Sequence, residues 1–334
     1  MTAPLGVGVV GVGMAAKPHL EALARLPELA AVKQVWSRTP GPAEAAAAKL
    51  GARASAGLDE LLADPAVDAV LLLTPPNARV EIIERCAAAG KAVLAEKPLG
   101  RDVAEARRAA AACEQHGVPL GVVLQHRRRD DVRRLQELIA AGALGKLALA
   151  RLDFPWWRGQ EYYDERGRGS KERDGGGVLL TQAVHILDLL LLLLGPVAEV
   201  RALAGTSALH RMETEDFAVA GLRFESGALG AVVATTAAYP GTTERLHIDA
   251  EKASASLVGN VLEIAWRDGR RERFGAARGT GGGADPMAFG PELHQDLIAS
   301  FLRAVAAGET PVPGAAEALR VQELVERIAG GGDG

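Results

Sequence analysis

A lysine and a histidine in this chain stand where acid–base chemistry could be done. The lysine lies in A-V-L-A-E-K-P-L-G, where Lys97 closes a short apolar run and precedes Pro98. If that run is a strand of a parallel sheet, Lys97 sits at its carboxyl end, where such sheets take their ligands. An ammonium there can hydrogen-bond a substrate oxygen and stabilise a developing alkoxide. Pro98 denies its neighbour the helical conformation and stiffens the turn. The alternative is a solvated strand-end lysine.

The histidine lies in G-G-G-V-L-L-T-Q-A-V-H-I-L-D-L-L. On a single helix Thr181, His185 and Asp188 fall at i, i+4 and i+7, with Gln182 adjacent, so they form one stripe. The remaining positions from 178 to 194 are apolar, so the helix is buried nearly all round and its stripe faces a cleft or a partner. A core histidine satisfied by a backbone carbonyl is the alternative. A His–Asp metal site is conceivable on ligand type, but no third ligand accompanies the pair and no metal is assigned.

Between them runs D-F-P-W-W-R-G-Q-E-Y-Y-D-E-R-G-R, residues 153–168. Four of the seven Trp and Tyr residues fall between 156 and 163, in a chain with only 4% aromatics. Flat rings with Arg, Gln and Asp nearby suit a polyhydroxylated ring, whose C–H face stacks while its hydroxyls are hydrogen-bonded. An interface loop would use the same residues. Gln125, Arg127, Trp157, Arg158 and Tyr163 are secondary candidates for substrate contacts.

These groups need a scaffold, and the first residues announce one. Val7, Val9 and Val10 read as a buried strand, and Gly11-Val-Gly13-Met14-Ala-Ala16 as the turn into a helix continuing through Leu20, Leu23 and Leu26. Gly11 permits the tight turn, Gly13 lets the backbone approach a pyrophosphate, and Ala16 allows close helix–strand packing. The helix N-terminus then points free N–H groups at the phosphates. Strand patterns at 5–10, 31–36, 68–73, 92–95 and 119–124 alternate with helical ones at 15–26, 42–50, 57–63, 77–89 and 102–116. That is a doubly wound parallel sheet, a Rossmann-type α/β domain. Beyond it, helical pieces at 130–141 and 177–194 precede alternating segments at 197–204, 216–224, 228–236, 245–250, 254–258 and 261–266. These suit an open antiparallel sheet. Gly275–Ala284 reads as a mobile loop, 292–307 and 315–328 as helices, and the final Gly-Gly-Gly-Asp-Gly as a frayed tail.

The second strand ends V-K-Q-V-W-S-R-T, with no acid to hold a ribose 2′-hydroxyl. Ser37 and Thr39 offer hydroxyls, and Arg38 a guanidinium fork suited to a 2′-phosphate. NADP(H) is therefore favoured over NAD(H), unless Arg38 is a plain solvated loop residue. The 334 residues, 48% hydrophobic, fill one large or two ordinary domains. A net charge of −4 without an isolated basic run argues against a nucleic-acid partner. Cys86 and Cys113 lack metal or redox spacing and read as buried thiols of a cytoplasmic protein. The apolar run 178–194 is interrupted by too many polar residues to span a membrane.

G-V-G-M-A-A-K-P-H, T-P-P-N, E-K-P and G-G-x-x-x-x-Q-x-x-H-x-x-D, in that order, resemble the family of glucose–fructose oxidoreductase, inositol dehydrogenase and MocA-type proteins. L-Q-H-R-R-R at 124–129 and the H-Q-D-L-I-A-S-F-L-R-A-V-A-A-G helix extend the likeness over nearly the whole chain. The resemblance implies an NAD(P)-binding Rossmann domain over 1–123. It implies a substrate and oligomerisation domain over 124–334, α+β with an open, mainly antiparallel sheet, and homodimers or homotetramers formed through that sheet. It makes Lys97 the catalytic lysine and His185 the active-site histidine. Thr74, Pro75, Asn77, Glu96 and Gln125 would line the cofactor, and Thr181, Gln182 and Asp188 would orient His185 or bind substrate hydroxyls. The expected activity is hydride exchange at a secondary hydroxyl or ketone of a sugar or cyclitol. Many members carry an aspartate where this chain has Thr181, inositol dehydrogenases among them, so the threonine argues against inositol. A retained-cofactor glycosidase or lyase and a non-catalytic nucleotide sensor are the other activities found on this scaffold.

Overall fold

A computed structural model of the protein describes residues 3–276 and 290–333. The elements begin with β1 (Leu5–Val10), α1 (Ala16–Ala24), β2 (Ala30–Trp36), α2 (Pro40–Leu50), β3 (Arg53–Ala54) and α3 (Leu58–Ala63). Next come β4 (Ala69–Leu72), α4 (Pro76–Ala88), β5 (Ala92–Ala95), α5 (Val103–Gln115) and β6 (Leu120–Val122). A 3-10 turn, Gln125–Arg128, leads into α6 (Asp130–Ala140), β7 (Leu147–Pro155), α7 (Gln160–Tyr163), α8 (Val178–Thr181) and α9 (Val184–Leu194). Then follow β8 (Val197–Gly205), β9 (Phe217–Phe224), β10 (Leu229–Thr235), β11 (Arg245–Ala250), β12 (Ala253–Val258), β13 (Val261–Trp266) and β14 (Arg271–Gly275). The helices α10 (Glu292–Ala307) and α11 (Ala315–Ala329) complete the chain.

The chain packs as two compact units, one of residues through Gln125 with Gly290–Leu319, the other of residues from His126 with Arg320 onward. In the first, six parallel strands run in the order β3-β2-β1-β4-β5-β6. The order reverses between β1 and β4, the position at which doubly wound sheets take their ligand. Every residue of β4 and β5 is buried, as both-face coverage demands. The expected division at residue 123 leaves 290–319 in the second domain, whereas α10 belongs to this first unit. Its Leu297, Ile298, Phe301 and Leu302 share a core with Val7, Leu23 and Leu94. Gly121 lets the Phe301 ring lie against β6, since a Cβ there would come within 2.7 Å of that ring.

The second unit holds an eight-stranded sheet ordered β14-β13-β12-β11-β7-β10-β9-β8. Its pairs are antiparallel except β7 with β10, which run parallel. One face packs on α6, α9 and the second half of α11 through Leu135, Leu187, Val321 and Ile328. The other carries Leu149, Phe217, Leu229 and Leu203, exposed between 37% and 67%.

The central strand β7 and the edge strand β14 are absent from the sequence expectation. L-A-L-A-R-L is built of good helix formers without a β-branched residue. Only pairing on both sides makes use of its alternation, with Ala150, Leu152 and Phe154 inward. The helix expected over 177–194 is two helices, α8 and α9, interrupted at Gln182–Ala183. The tail expected to fray is tied down as far as Asp333, the last described residue. Gly332 N–H donates to Arg327 O and Asp333 N–H to Val200 O, while the Asp333 carboxylate accepts from Val200 N–H and pairs with Arg327. Most of the expected loop Gly275–Ala284 lies outside the described residues.

Candidate active-site residues of the two units

In the first unit the glycine turn is built as its spacing requires. Gly11 has φ +93°, and a Cβ there would press to 3.0 Å against the Leu73–Thr74 peptide. Gly13 is the opposite case, with nothing within 4 Å of where its Cβ would stand. That open space beside the start of α1 fits a pyrophosphate held by free helix N–H groups. Met14 is exposed and Ala16 buried at the base of α1. Ser37 is half-buried, while Arg38 and Thr39 are exposed at the end of β2. Thr74 Oγ1 and Gln125 Oε1 are buried without an internal hydrogen bond among the described residues. They are acceptors or donors that a nucleotide could satisfy. Pro75 and Asn77 open α4, with Asn77 exposed.

Lys97 is half-buried on the turn after β5. Its main chain is held on both sides. Lys97 N–H donates to Glu96 Oε2 at 2.9 Å. On the far side the buried Arg79 guanidinium donates to the carbonyls of Pro98 and Thr74, joining the two strand-end loops. Burial pulls the Arg79 guanidinium down to about 10, against the opposing influence of Glu96. Sequence reasoning missed Arg79. Its only signal was a cation on the apolar face of α4, beside Val80, Ile82 and Ile83.

Glu96 in turn bonds His19 Nε2 at 2.8 Å. Burial alone would raise its carboxyl, but the His19 hydrogen bond and the nearby His19, Lys97 and His294 outweigh it and hold the group at about 2. His294 stacks edge-on against His19, centroids 4.5 Å apart. Burial, with His19 beside it, pushes its imidazole down to about 3. His19, Glu96 and His294 offer ligand atoms within 4.8 Å of one another, and form the one cluster of metal-ligand type among the described residues.

In the second unit His185, near the start of α9, stacks on His126 with centroids 4.6 Å apart and planes at 29°. The Asp188 carboxylate, one turn on, receives both arms of Arg127, at 2.7 Å from Nε and 2.6 Å from Nη2. A fork–fork pair, buried at Asp188 and half-buried at Arg127, therefore joins the 3-10 turn to α9. The break between α8 and α9 removes Thr181 from the expected stripe. Thr181 Oγ1 donates to Gly177 O at 2.6 Å and lies against the Gln182 side-chain amide. At the start of α8 the Glu215 backbone can approach only because residue 177 is glycine, where a Cβ would come 1.8 Å from Glu215 O. Glu215 caps α8 by accepting from Gly177 and Leu179 N–H. His126, Gly177 and Glu215 carry no sequence signal for these roles.

The aromatic segment divides unexpectedly. Tyr163, the expected substrate contact, is buried with its hydroxyl on Thr236 Oγ1 at 2.6 Å, and burial pushes it up to about 12. Its neighbour Tyr162 bonds Gln182 Nε2 at 3.4 Å and accepts from Arg168 Nη1 at 2.8 Å. Adjacent residues on the one-turn helix α7 project in different directions, so one enters the core and the other joins the polar groups around Gln182. Arg158 is buried over the Trp156 ring and donates to Trp157 O. Trp157 is half-buried and meets Tyr239 edge-on.

Two family models match the chain. Residues 5–124 fit an oxidoreductase family with an NAD-binding Rossmann fold, and residues 132–256 fit the GFO/IDH/MocA C-terminal domain. The levoglucosan dehydrogenase of Pseudarthrobacter phenanthrenivorans is 25% identical over 97% of this chain and 95% of its own length. The myo-inositol 2-dehydrogenase of Thermotoga maritima is 27% identical over 91% of this chain and 89% of its own. Among solved structures, the WlbA dehydrogenase of Bordetella pertussis in complex with NADH and UDP-GlcNAcA superposes with a TM-score of 0.84. It is 30% identical, over 98% of this chain and 95% of its own. With both halves matched in order, the chain belongs to the GFO/IDH/MocA family of oxidoreductases.

Proposed function

We propose that this oxidoreductase interconverts a secondary hydroxyl and the matching ketone on a sugar or sugar-like ring, with a nicotinamide cofactor supplying or taking the hydride. The observation that carries this reading is the Glu96–Lys97 turn. Its main chain is fixed by a buried carboxylate on one side and a buried guanidinium on the other. A lysine held in this way can donate a proton to the oxygen of a ketone and recover it when the alcohol is oxidised. His185 serves as the second acid–base group, and Gln182, Tyr162 and Arg168 bind neighbouring hydroxyls. Thr181 supplies no carboxylate and bonds within its own turn, which favours substrates other than inositol.

The cofactor is NADP(H) in preference to NAD(H). Arg38 is exposed at the end of β2, where no acid accompanies Ser37 and Thr39, and its guanidinium suits a 2′-phosphate. The apolar row Leu149, Phe217, Leu229 and Leu203 is covered by a second copy in a homodimer or homotetramer. Cys86 and Cys113 are free and buried, and burial pushes each thiol up to about 12, which suits a cytoplasmic protein. Among the described residues no helix is long and apolar enough to cross a membrane.

The test is a screen of NAD and NADP against sugars, cyclitols, anhydrosugars and glycosides, followed by nicotinamide absorbance. Turnover with one ring supports the reading. A preference for NADH of about tenfold or more in kcat/KM overturns the role of Arg38. Product formation without net absorbance change, with nicotinamide retained through purification, overturns net redox in favour of the glycosidase or lyase chemistry.

A further inference from the structure

Three elements of the first unit converge on one carboxylate. His19 lies in the first turn of α1, directly after the glycine loop. Glu96 directly follows β5, and His294 lies in the first turn of α10. All three side chains are buried. The Glu96 carboxylate can only accept, so Nε2 of His19 carries the hydrogen of the 2.8 Å bond. Its other oxygen accepts from the main chain of Lys97. The edge-on ring of His294 braces His19 from behind. The helix that follows the nucleotide loop and the turn that carries the lysine are thus joined through two hydrogen bonds on one side chain.

We propose that His19 is a positioning residue for Lys97. Through Glu96 it couples the placement of the lysine turn to that of the glycine-loop helix, so that settling the loop on a nucleotide also sets the amine. This rests on the assignment of Lys97 made above, but the coupling itself is measurable without any substrate. The donor set invites another occupant, because two histidines and a carboxylate are zinc ligands. The proposal commits to the hydrogen-bonded pair: Glu96 already spends one oxygen on His19 and the other on Lys97 N–H.

The experiment compares the full-length protein with His19→Leu, His19→Asn and His19→Gln. Lys97 is labelled by trinitrobenzenesulfonate at one fixed pH, with and without NADH, and read by peptide mass spectrometry. Gln can return an N–H near the place of Nε2, whereas Asn is too short and Leu has none. NADH is expected to change the labelling rate of Lys97 in the wild type and in His19→Gln. In His19→Leu and His19→Asn that response is expected to fall about tenfold, the scale of a lost hydrogen bond to a charged group. If His19→Leu does not fold, His19→Asn carries the comparison. An unchanged NADH response in folded His19→Asn overturns the proposal, as does failure of His19→Gln to differ from it. One equivalent of zinc retained through dialysis, and lost in His19→Asn, also overturns it in favour of a metal centre. Absence of turnover in the sugar screen with the labelling pattern intact would sink the sugar oxidoreductase reading and leave the coupling standing.

Discussion

The two units build their polar residues into the fold by different means. In the first, Gly11, Thr74 and Glu96 sit at or just after the carboxyl ends of successive parallel strands, so their positions follow once the strands are placed. In the second, His185 and its neighbours are located by contacts far apart in sequence. Arg127 reaches Asp188 across 61 positions and Tyr163 reaches Thr236 across 73. The sheet therefore places the residues of the first unit, and the long-range His19–Glu96 contact only sets the lysine turn, whereas a site tied together by long-range polar pairs should fail when one pair is removed.

The largest effect expected on this view is chemical. Lys97→Ala should fold, bind cofactor, and lose about 100-fold or more in kcat, the usual contribution of a general acid–base group. Retention of more than about a tenth of wild-type kcat would remove Lys97 from the mechanism. Next comes Asp188→Leu, which leaves the half-buried Arg127 guanidinium opposite an apolar side chain. Breaking a pair with only one member fully buried should cost roughly 2–3 kcal/mol, between the surface and the fully buried cases, to be read by denaturant unfolding. A cost below about 1 kcal/mol, typical of surface pairs, would show that the pair is not structural.

The third prediction contrasts acid sensitivity. His294 stays neutral in the folded protein to about pH 3, whereas its unfolded counterpart binds a proton near 6.5. The unfolded state then binds more protons below 6.5, and stability falls as pH falls, by about 2 kcal/mol between 6.5 and 5. Glu96, held at about 2 against 4.5, adds a loss in the lower window, as pH falls from 4.5 toward 2. Scanning calorimetry of His294→Gln should show a flatter acid limb above pH 5. An unchanged limb would place the sensitivity elsewhere.

The smallest effect separates the two tyrosines. Tyr163→Phe loses one buried hydrogen bond, about 1 kcal/mol, and should leave KM unchanged. Tyr162→Phe should raise KM for the substrate found by the screen and leave Tm within about a degree or two. The reverse pattern would return Tyr163 to the substrate side.

Much of the first unit is legible in the sequence because its signals are local. Val7, Val9 and Val10 run unbroken, Gly11 and Gly13 have fixed spacing, and E-K-P follows an apolar strand. What is not legible is Arg79, whose partners Thr74 and Pro98 come from two different loops. In the second unit the strands from β8 to β13 alternate clearly and were readable. β7 was not, because Ala and Leu satisfy a helix as readily as a strand until neighbours pair with it. The stripe of Thr181, His185 and Asp188 assumed an unbroken helix. Gly177 and the Glu215 cap start that stretch as a separate short turn, and nothing local to T-Q-A-V-H predicts the interruption.

The sequence by itself determined the family, the doubly wound sheet and the nucleotide turn, and it singled out Lys97 and His185 as the candidates to test, since each is carried by residue type at fixed local spacing. Tertiary structure alone decided that Asp188 serves Arg127, that Tyr162 and not Tyr163 joins Gln182, and that His19 and His294 close on Glu96. Those choices depend on which side chains a packed interior brings within hydrogen-bonding distance, and buried polar groups must find partners wherever the fold places them.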